Sequence, residues 1–264
     1  MNTNDKRLPI HFSCYFTRSR SGENWVEEHT IGYVLSGSLE VDDGVHTYAF
    51  NEGDLYFCKR NSLARFAKQP GASGEFRSLS IYFEQEMLRS FSVEYQYNAA
   101  GHPAPISFLQ LDGQSVLGQF MQGLRAYESV LNAPLLDIKR KEALLLLLQS
   151  QPSLKDVLFD FSEPGKIDLE AFMQQNYQFN LEIKRFAYLT GRSLSTFKRD
   201  FEKIFHDTPS RWLVSRRLQA AYHLIKEKGK MASDIYLDLG FEDLSHFSFA
   251  FKKQFGVAPS MLTA

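Results

Sequence analysis

The sequence predicts an α+β protein in two parts: a β-barrel or sandwich carrying two helices, then an all-α domain in which a linker helix joins two helix-turn-helix units. Three observations predict it. Short β-branched and aromatic runs punctuated by glycine fill residues 1–108. Apolar residues at helical spacing begin at Leu117 and resume from Ile167 to the end. The C-terminal part also repeats itself at an offset of 50 residues.

The strands come first. Thr30 to Val41 alternates, with glycine at its bends. Asp42-Asp43-Gly44 is a hairpin signal. Tyr48 to Cys58 sets a Gly53-Asp54 turn before another strand, and Leu79 to Phe83 is a further one. Many short strands at this spacing suggest a small sandwich or barrel. In the first helix Leu117, Phe120, Met121, Leu124, Tyr127 and Leu131 recur, and Asn132-Ala133-Pro134 ends it. The second helix runs from Pro134 to Gln149, and its leucines exceed what one core contact needs. Two uses stand open for this pair: a cap on the barrel, or a dimer seam through Leu117, Phe120, Met121, Leu124, Leu145 and Leu148. Pro152, Pro164 and Gly165 mark a linker. The expected division is therefore 1–150, a linker at 151–165, and 166–264. Helices are expected at 167–177, 181–190, 193–206, 209–228, 231–239 and 243–255, with a last turn after Pro259.

Composition narrows the function. The chain has 264 residues, 44% hydrophobic and 23% charged, enough for real cores. Its net charge of −1 conceals an asymmetry: residues 166–264 hold 15 Lys and Arg against 11 Asp and Glu, and the remainder 15 against 20. A basic back half joined to an acidic front half suits a nucleic-acid binder attached to a sensor. The longest apolar run, Ala143 to Leu148, is far shorter than a membrane span. Residues 1–9 are polar and lack an apolar signal core, and the two cysteines, Cys14 and Cys58, fit a reducing compartment. A cytoplasmic protein is expected. No metal-ligand spacing, nucleophile elbow or phosphate loop occurs, so no catalytic residue, cofactor or metal is expected.

The repeat carries the functional reading. Phe197, Phe201 and Phe205 are matched by Phe247, Phe251 and Phe255; Ser195, Lys203, Pro209 and Ser210 are matched by Ser245, Lys253, Pro259 and Ser260. Each copy follows a helix that ends at a glycine, Gly191 or Gly240, and opens on an N-cap residue, Ser193 or Asp243. Helix, glycine turn and capped helix form the helix-turn-helix plan. The Phe stripe turns one face inward, so in the first copy Ser195, Lys198, Arg199 and Glu202 face out. A helix enters the major groove, where Lys and Arg donate to guanine O6 and N7. Phosphate contacts, which position without reading sequence, are expected from Arg192, Ser193, Lys203, Arg211, Asp243, Lys252 and Lys253. The helix between the copies, Ser210 to Lys228, spans roughly 28 Å, near the ~34 Å between successive major grooves on one DNA face. A protein-binding helical repeat without a DNA role is the competing reading; it predicts no steep salt dependence on duplex DNA.

The run from Asp234 to Ser260, with Asp234-Ile-Tyr-Leu-Asp-Leu-Gly-Phe and Phe-Lys-Lys-Gln-Phe-Gly-Val-Ala-Pro-Ser, resembles the signature of the AraC/XylS family of bacterial transcription regulators. Arg217-Leu218, Ala221 and Leu224-Ile225 resemble that family's linker helix. The resemblance implies promoter DNA and RNA polymerase as partners and, usually, activation. It also implies base reading by Ser195, Lys198 and Arg199 in the first unit and by Leu244, Ser245, Ser248 and Phe249 in the second. Family members often carry Gln at the position of Leu244 and a polar residue at that of Phe249. Leu and Phe donate nothing to base edges but can touch thymine methyls. The first unit is therefore expected to carry most of the sequence specificity.

The front half is similar to the family's cupin-like sensor domain, chiefly at Gly53-Asp54. Such a domain implies a homodimer and a small effector or a protein antagonist. His11, His29, His46 and His102 are scattered, with no His-x-His pair for a metal. Where sugar-sensing members carry a Pro-Pro-Gly segment ending in His, this chain has Lys59-Arg60-Asn61-Ser62-Leu63-Ala64-Arg65. That basic segment and the leucine-rich helix resemble the type III secretion activators of the family. An apolar ligand lined by Tyr33, Leu35, Tyr56 and Phe57 is the alternative. A cupin-type enzyme with a helical appendage is a third reading, and it predicts a bound metal or a catalytic cluster.

Overall fold

The computed structural model describes residues 8–21, 25–101 and 106–262, and divides the chain into two compact units, 1–162 and 163–264. His102 lies outside the described residues.

The first unit begins with β1 (Ile10–Tyr15), β2 (Ser19–Ser21), β3 (His29–Ser36), β4 (Ser38–Asp42) and β5 (Thr47–Asn51). It continues with β6 (Leu55–Cys58), β7 (Arg65–Gln69), β8 (Phe76–Phe83), α1 (Gln85–Tyr95) and β9 (Phe108–Leu111). Then come α2 (Val116–Gly123), α3 (Ala133–Ser150) and the single turn α4 (Lys155–Leu158). A five-stranded sheet, β1-β8-β3-β6-β9, faces a four-stranded sheet, β2-β7-β4-β5. Neighbouring strands in both sheets pair antiparallel, including β4 with β5 across the expected Asp-Asp-Gly hairpin.

Strand alternation builds two cores from one sheet. Val34, Tyr56 and Cys58 join Leu39, Val41 and Phe50 between the sheets. Ile31, Tyr33, Leu55 and Phe57 join the buried faces of α1, α2 and α3 on the other side. The helical layer is therefore a third layer, thicker than the two helices expected. Helix α1 lies inside a stretch read as strand; Met87, Leu88 and Phe91 bury one face of it at helical spacing.

Three expectations change here. The six residues assigned to a dimer seam serve the core: Leu117, Met121, Leu124 and Leu148 are buried and Phe120 and Leu145 pack against them. The large apolar side chains that stay exposed on α2 and α3 are Val116 and Ile138. The expected linker is structured over 152–159, where Leu154, Val157, Leu158 and Phe159 enter the same core. The proline at 152 starts a 3-10 turn there instead of ending structure, as proline does at a first helical position. Finally, the four residues grouped as a ligand pocket are divided: Tyr33, Leu35 and Phe57 face the helical layer, and Tyr56 faces the second sheet. Neighbours in a strand point to opposite faces, so Tyr56 and Phe57 cannot line one chamber.

The second unit is helical: α5 (Leu169–Asn176), α6 (Ile183–Leu189), α7 (Leu194–Phe205), α8 (Pro209–Lys228), α9 (Ala232–Ile235) and α10 (Leu244–Phe255), then a 3-10 turn at Pro259–Met261. Only α9 is much shorter than the sequence suggests, because turns replace helix after Ile235. Two cores sit along α8. Leu213 packs with Leu169, Met173, Phe186, Phe197 and Phe201. Leu218, Ala221 and Ile225 pack with Ile235, Leu239, Phe241, Phe247 and Phe251. Helix α8 is thus the wall shared by α5, α6 and α7 on one side and by α9 and α10 on the other.

Candidate nucleic-acid interface

Each helix-turn-helix turn needs its glycine. Gly191 and Gly240 have φ of +64° and +80°, a region costly for residues with a Cβ. Space forbids a side chain as well. A Cβ on Gly191 would strike the backbone of Gly165, and one on Gly240 would stand 2.6 Å from the carbonyl oxygen of Gln178.

The helices after the turns are capped by the residues that immediately precede them. Ser193 Oγ accepts from the Thr196 amide at 3.3 Å, and Asp243 Oδ1 from the His246 amide at 2.6 Å. The aromatic stripes fix their rotation. Phe197, Phe201, Phe247 and Phe251 are fully buried, with Phe201 and Phe205 rings 4.4 Å apart and Phe251 and Phe255 rings 4.7 Å apart. The opposite faces remain open. On α7, Ser195, Lys198, Arg199 and Glu202 are exposed; on α10, Leu244, Ser245 and Phe249 are exposed and Ser248 is half-buried. Apart from Glu202, which only shares the face, these are the base-reading positions expected from the sequence, and each set occupies one outward face. Arg199 also touches Asp200 at 3.4 Å while keeping 65% of its side chain exposed.

The expected phosphate contacts separate into two groups. Lys203, Arg211, Lys252 and Lys253 are exposed, although Arg211 pairs with Asp207 at 3.6 Å. Arg192 is different. Only 7% of its side chain is exposed, and its guanidinium donates to the carbonyls of Ile167 (3.0 Å) and Thr190 (2.8 Å) and to Asp200 (3.3 Å). It locks the first turn and is not available to a phosphate. Ser193 Oγ accepts the cap bond and donates to Thr196 Oγ1 at 3.0 Å, and the carboxylate of Asp243 has no proton to donate and repels phosphate.

The relation between the two helix-turn-helix units rests on a residue known from the sequence only as part of a linker helix. Arg217 is buried, and its Nε donates to the carbonyl of Tyr177 (2.7 Å), its Nη2 to that of Phe179 (2.9 Å) and its Nη1 to that of Gly240 (3.0 Å). The first two acceptors belong to the loop between α5 and α6, the third to the second turn. Burial lowers its pKa to about 10, which leaves it charged at neutral pH. Asn180 bonded to Glu242 at 2.9 Å adds a second link. The 20 residues of α8 span roughly 30 Å at ~1.5 Å per residue, near the ~34 Å repeat of the duplex.

In the first unit His29 is fully buried, stacks on Phe57 with centroids 5.7 Å apart, and accepts at Nδ1 from the Arg60 amide at 3.3 Å. Among the described residues no cluster of His, Cys, Asp or Glu is placed to hold a metal, and no helix is long and apolar enough to cross a membrane.

Comparison with known proteins bears on both units. Residues 186–264 match the model of a helix-turn-helix domain, and residues 29–157 match that of the ExsA N-terminal regulatory domain. The chain is 26% identical over 238 residues to the HTH-type transcriptional regulator ExsA of Pseudomonas aeruginosa, covering 89% of this chain and 85% of that protein. It is 29% identical over 233 residues to the virulence regulon transcriptional activator VirF of Yersinia enterocolitica, covering 86% of each. Among solved structures, ToxT from Vibrio cholerae aligns over 96% of this chain and 97% of that one, with 15% identity and a TM-score of 0.43.

Proposed function

The chain belongs to the AraC/XylS family of transcription regulators, and from that premise we propose that α7 and α10 enter successive stretches of one major groove in promoter DNA. The observation that carries this reading is the doubled unit itself. Two capped helices, each pinned by a buried Phe stripe, present open faces from opposite ends of a shared helix. In this reading Lys198 and Arg199 donate to guanine edges, and Ser195, Ser245 and Ser248 make short polar contacts. Lys203, Arg211, Lys252 and Lys253 hold phosphates and set register.

Activation of transcription is carried to this chain from the description of its Yersinia relative as a transcriptional activator, and contact with RNA polymerase is proposed as the route to it. The N-terminal unit is assigned regulation, through a small effector or a protein partner, and homodimerisation through positions other than the six core residues named above. Sedimentation of the full chain tests the dimer.

The decisive experiment is a gel-shift titration of the full chain on its own upstream region across a salt series. A specific complex whose affinity falls steeply with salt is expected. Absence of a specific complex at physiological salt overturns the proposal in favour of a protein-binding adaptor.

A further inference from the structure

Arg199 and Phe249 occupy the same position of the 50-residue repeat. In the first unit that position carries a long cation. In the second it carries an apolar ring that is 71% exposed, while Phe247 and Phe251, two residues away on either side, are fully buried. Leu244, near the start of the same helix, is 39% exposed, and its neighbour Ser245 is exposed. Lys252 and Lys253 are exposed in the last turn of α10. The outward face of this helix is thus apolar at two base-reading positions and cationic beside them. That composition has a counterpart in duplex DNA. The C5-methyl of thymine is the apolar group that the major groove offers, next to the negatively charged backbone.

We propose that the second unit reads thymine by its methyl group, through Phe249 and Leu244, so that the full target is asymmetric: guanine faces α7 and thymine faces α10. This rests on α10 being a recognition helix, as proposed above. The chemistry discriminates in both directions. A thymine methyl against the ring leaves water without losing a hydrogen bond. A cytosine at the same place has no methyl and turns its N4 donor toward a ring that cannot accept it. The lysines anchor the backbone nearby, so the apolar contacts serve specificity more than gross affinity. The alternative occupant of Phe249 is a protein surface, and the test separates the two.

The experiment uses the full chain and a site selected from random duplexes. Thymines are replaced by deoxyuridine, which removes only the methyl, first in the half bound by α10 and then in the half bound by α7. Each contacted methyl removed from the α10 half weakens binding about fourfold, as expected for one buried carbon group; the α7 half is insensitive. The variant Phe249→Ala, which alters an exposed side chain and is expected to keep the wild-type melting temperature, loses the uracil penalty at the thymine that Phe249 contacts and keeps the one at Leu244. Wild type that ignores uracil in the α10 half overturns the proposal, as does an equal uracil penalty in wild type and Phe249→Ala. No specific complex on any duplex overturns the DNA-binding reading itself, and the proposal with it.

Discussion

Arg217 Nη1 donates to the carbonyl oxygen of Gly240 at 3.0 Å, and this bond joins the linker helix to the turn of the second unit. The other two bonds of the same guanidinium reach the loop between α5 and α6 in the first helix-turn-helix unit, 38 and 40 residues upstream. One buried cation therefore sets both recognition helices relative to a common axis. Replacing it with Met keeps the apolar stem and leaves three carbonyls without their donor. We expect Arg217→Met to lose about 3 kcal/mol or more of stability in urea unfolding. Its affinity for the complete site should fall more than its affinity for either half alone. Equal losses on complete and half sites would refute the bracing role.

Glycine at 240 serves the same joint. Gly240→Ala places a methyl against Gln178 O and 2.9 Å from the Arg217 guanidinium carbon, at a φ of +80°. Gly229→Ala, at a φ of +61°, meets nothing. The second should cost about 1 kcal/mol from backbone strain alone. The first should cost clearly more, and thermal melts of the two variants give the comparison.

The cap at α10 allows charge to be separated from structure. Asp243→Ala removes the acceptor for the His246 amide and should cost about 1 kcal/mol. Asp243→Asn retains an acceptor and removes a negative charge from the DNA-facing end. Its stability should stay within a few tenths of a kcal/mol of wild type, with tighter DNA binding at low salt. Weaker binding by Asp243→Asn would place α10 away from the duplex.

Salt dependence distinguishes the basic residues. Lys203→Ala and Lys252→Ala should each reduce the slope of log affinity against log salt by about one. Arg192→Ala should leave that slope unchanged and lower the melting temperature, because its guanidinium is spent on Ile167, Thr190 and Asp200. Within base reading, replacing Lys198 and Arg199 together should relax sequence preference more than replacing Leu244 and Phe249, since a bidentate donor pair outweighs a methyl contact.

The first unit has an acid limb of its own. Burial, with help from the Arg60 and Lys59 charges, lowers the His29 pKa from its ordinary 6.5 to about 3. Burial, then the charge of Glu27, raises that of Glu28 from 4.5 to about 7. The His29 contribution is present above 6.5 and is lost as pH falls toward about 3. The Glu28 contribution is present below 4.5 and is lost as pH rises through about 7. Between 4.5 and 6.5 the two slopes oppose, and below 4.5 His29 acts alone. His29→Gln should therefore flatten the loss of melting temperature on the acid side, and Glu28→Gln should steepen the rise between 4.5 and 6.5. An unchanged acid limb in His29→Gln would show that other groups govern it.

Much of this was legible in the residues. Phe197, Phe201 and Phe205, echoed by Phe247, Phe251 and Phe255, defined the inward face, and the outward face followed by exclusion. Ser193 and Asp243 declared the helix starts, and Gly191 and Gly240 the turns. Helix α1 was missed although Met87, Leu88 and Phe91 carry its period, because it is embedded among strands. The leucines of α2 and α3 were legible as apolar but not as core or seam; periodicity reports that a face is buried, not what covers it.

By itself the sequence determined the two-part division, the strand-rich front, the doubled helical unit and which side chains point outward. Those features are local: they follow from repeat, period and capping over one or two turns. Only the tertiary structure decided that Arg192 is a lock, that Arg217 joins the two units, and that Tyr56 and Phe57 serve different cores. The reason is distance along the chain. The acceptors of Arg217 lie 23 to 40 residues away, and a buried guanidinium goes wherever packing has left carbonyls without donors. No pattern within α8 can show where those carbonyls will be.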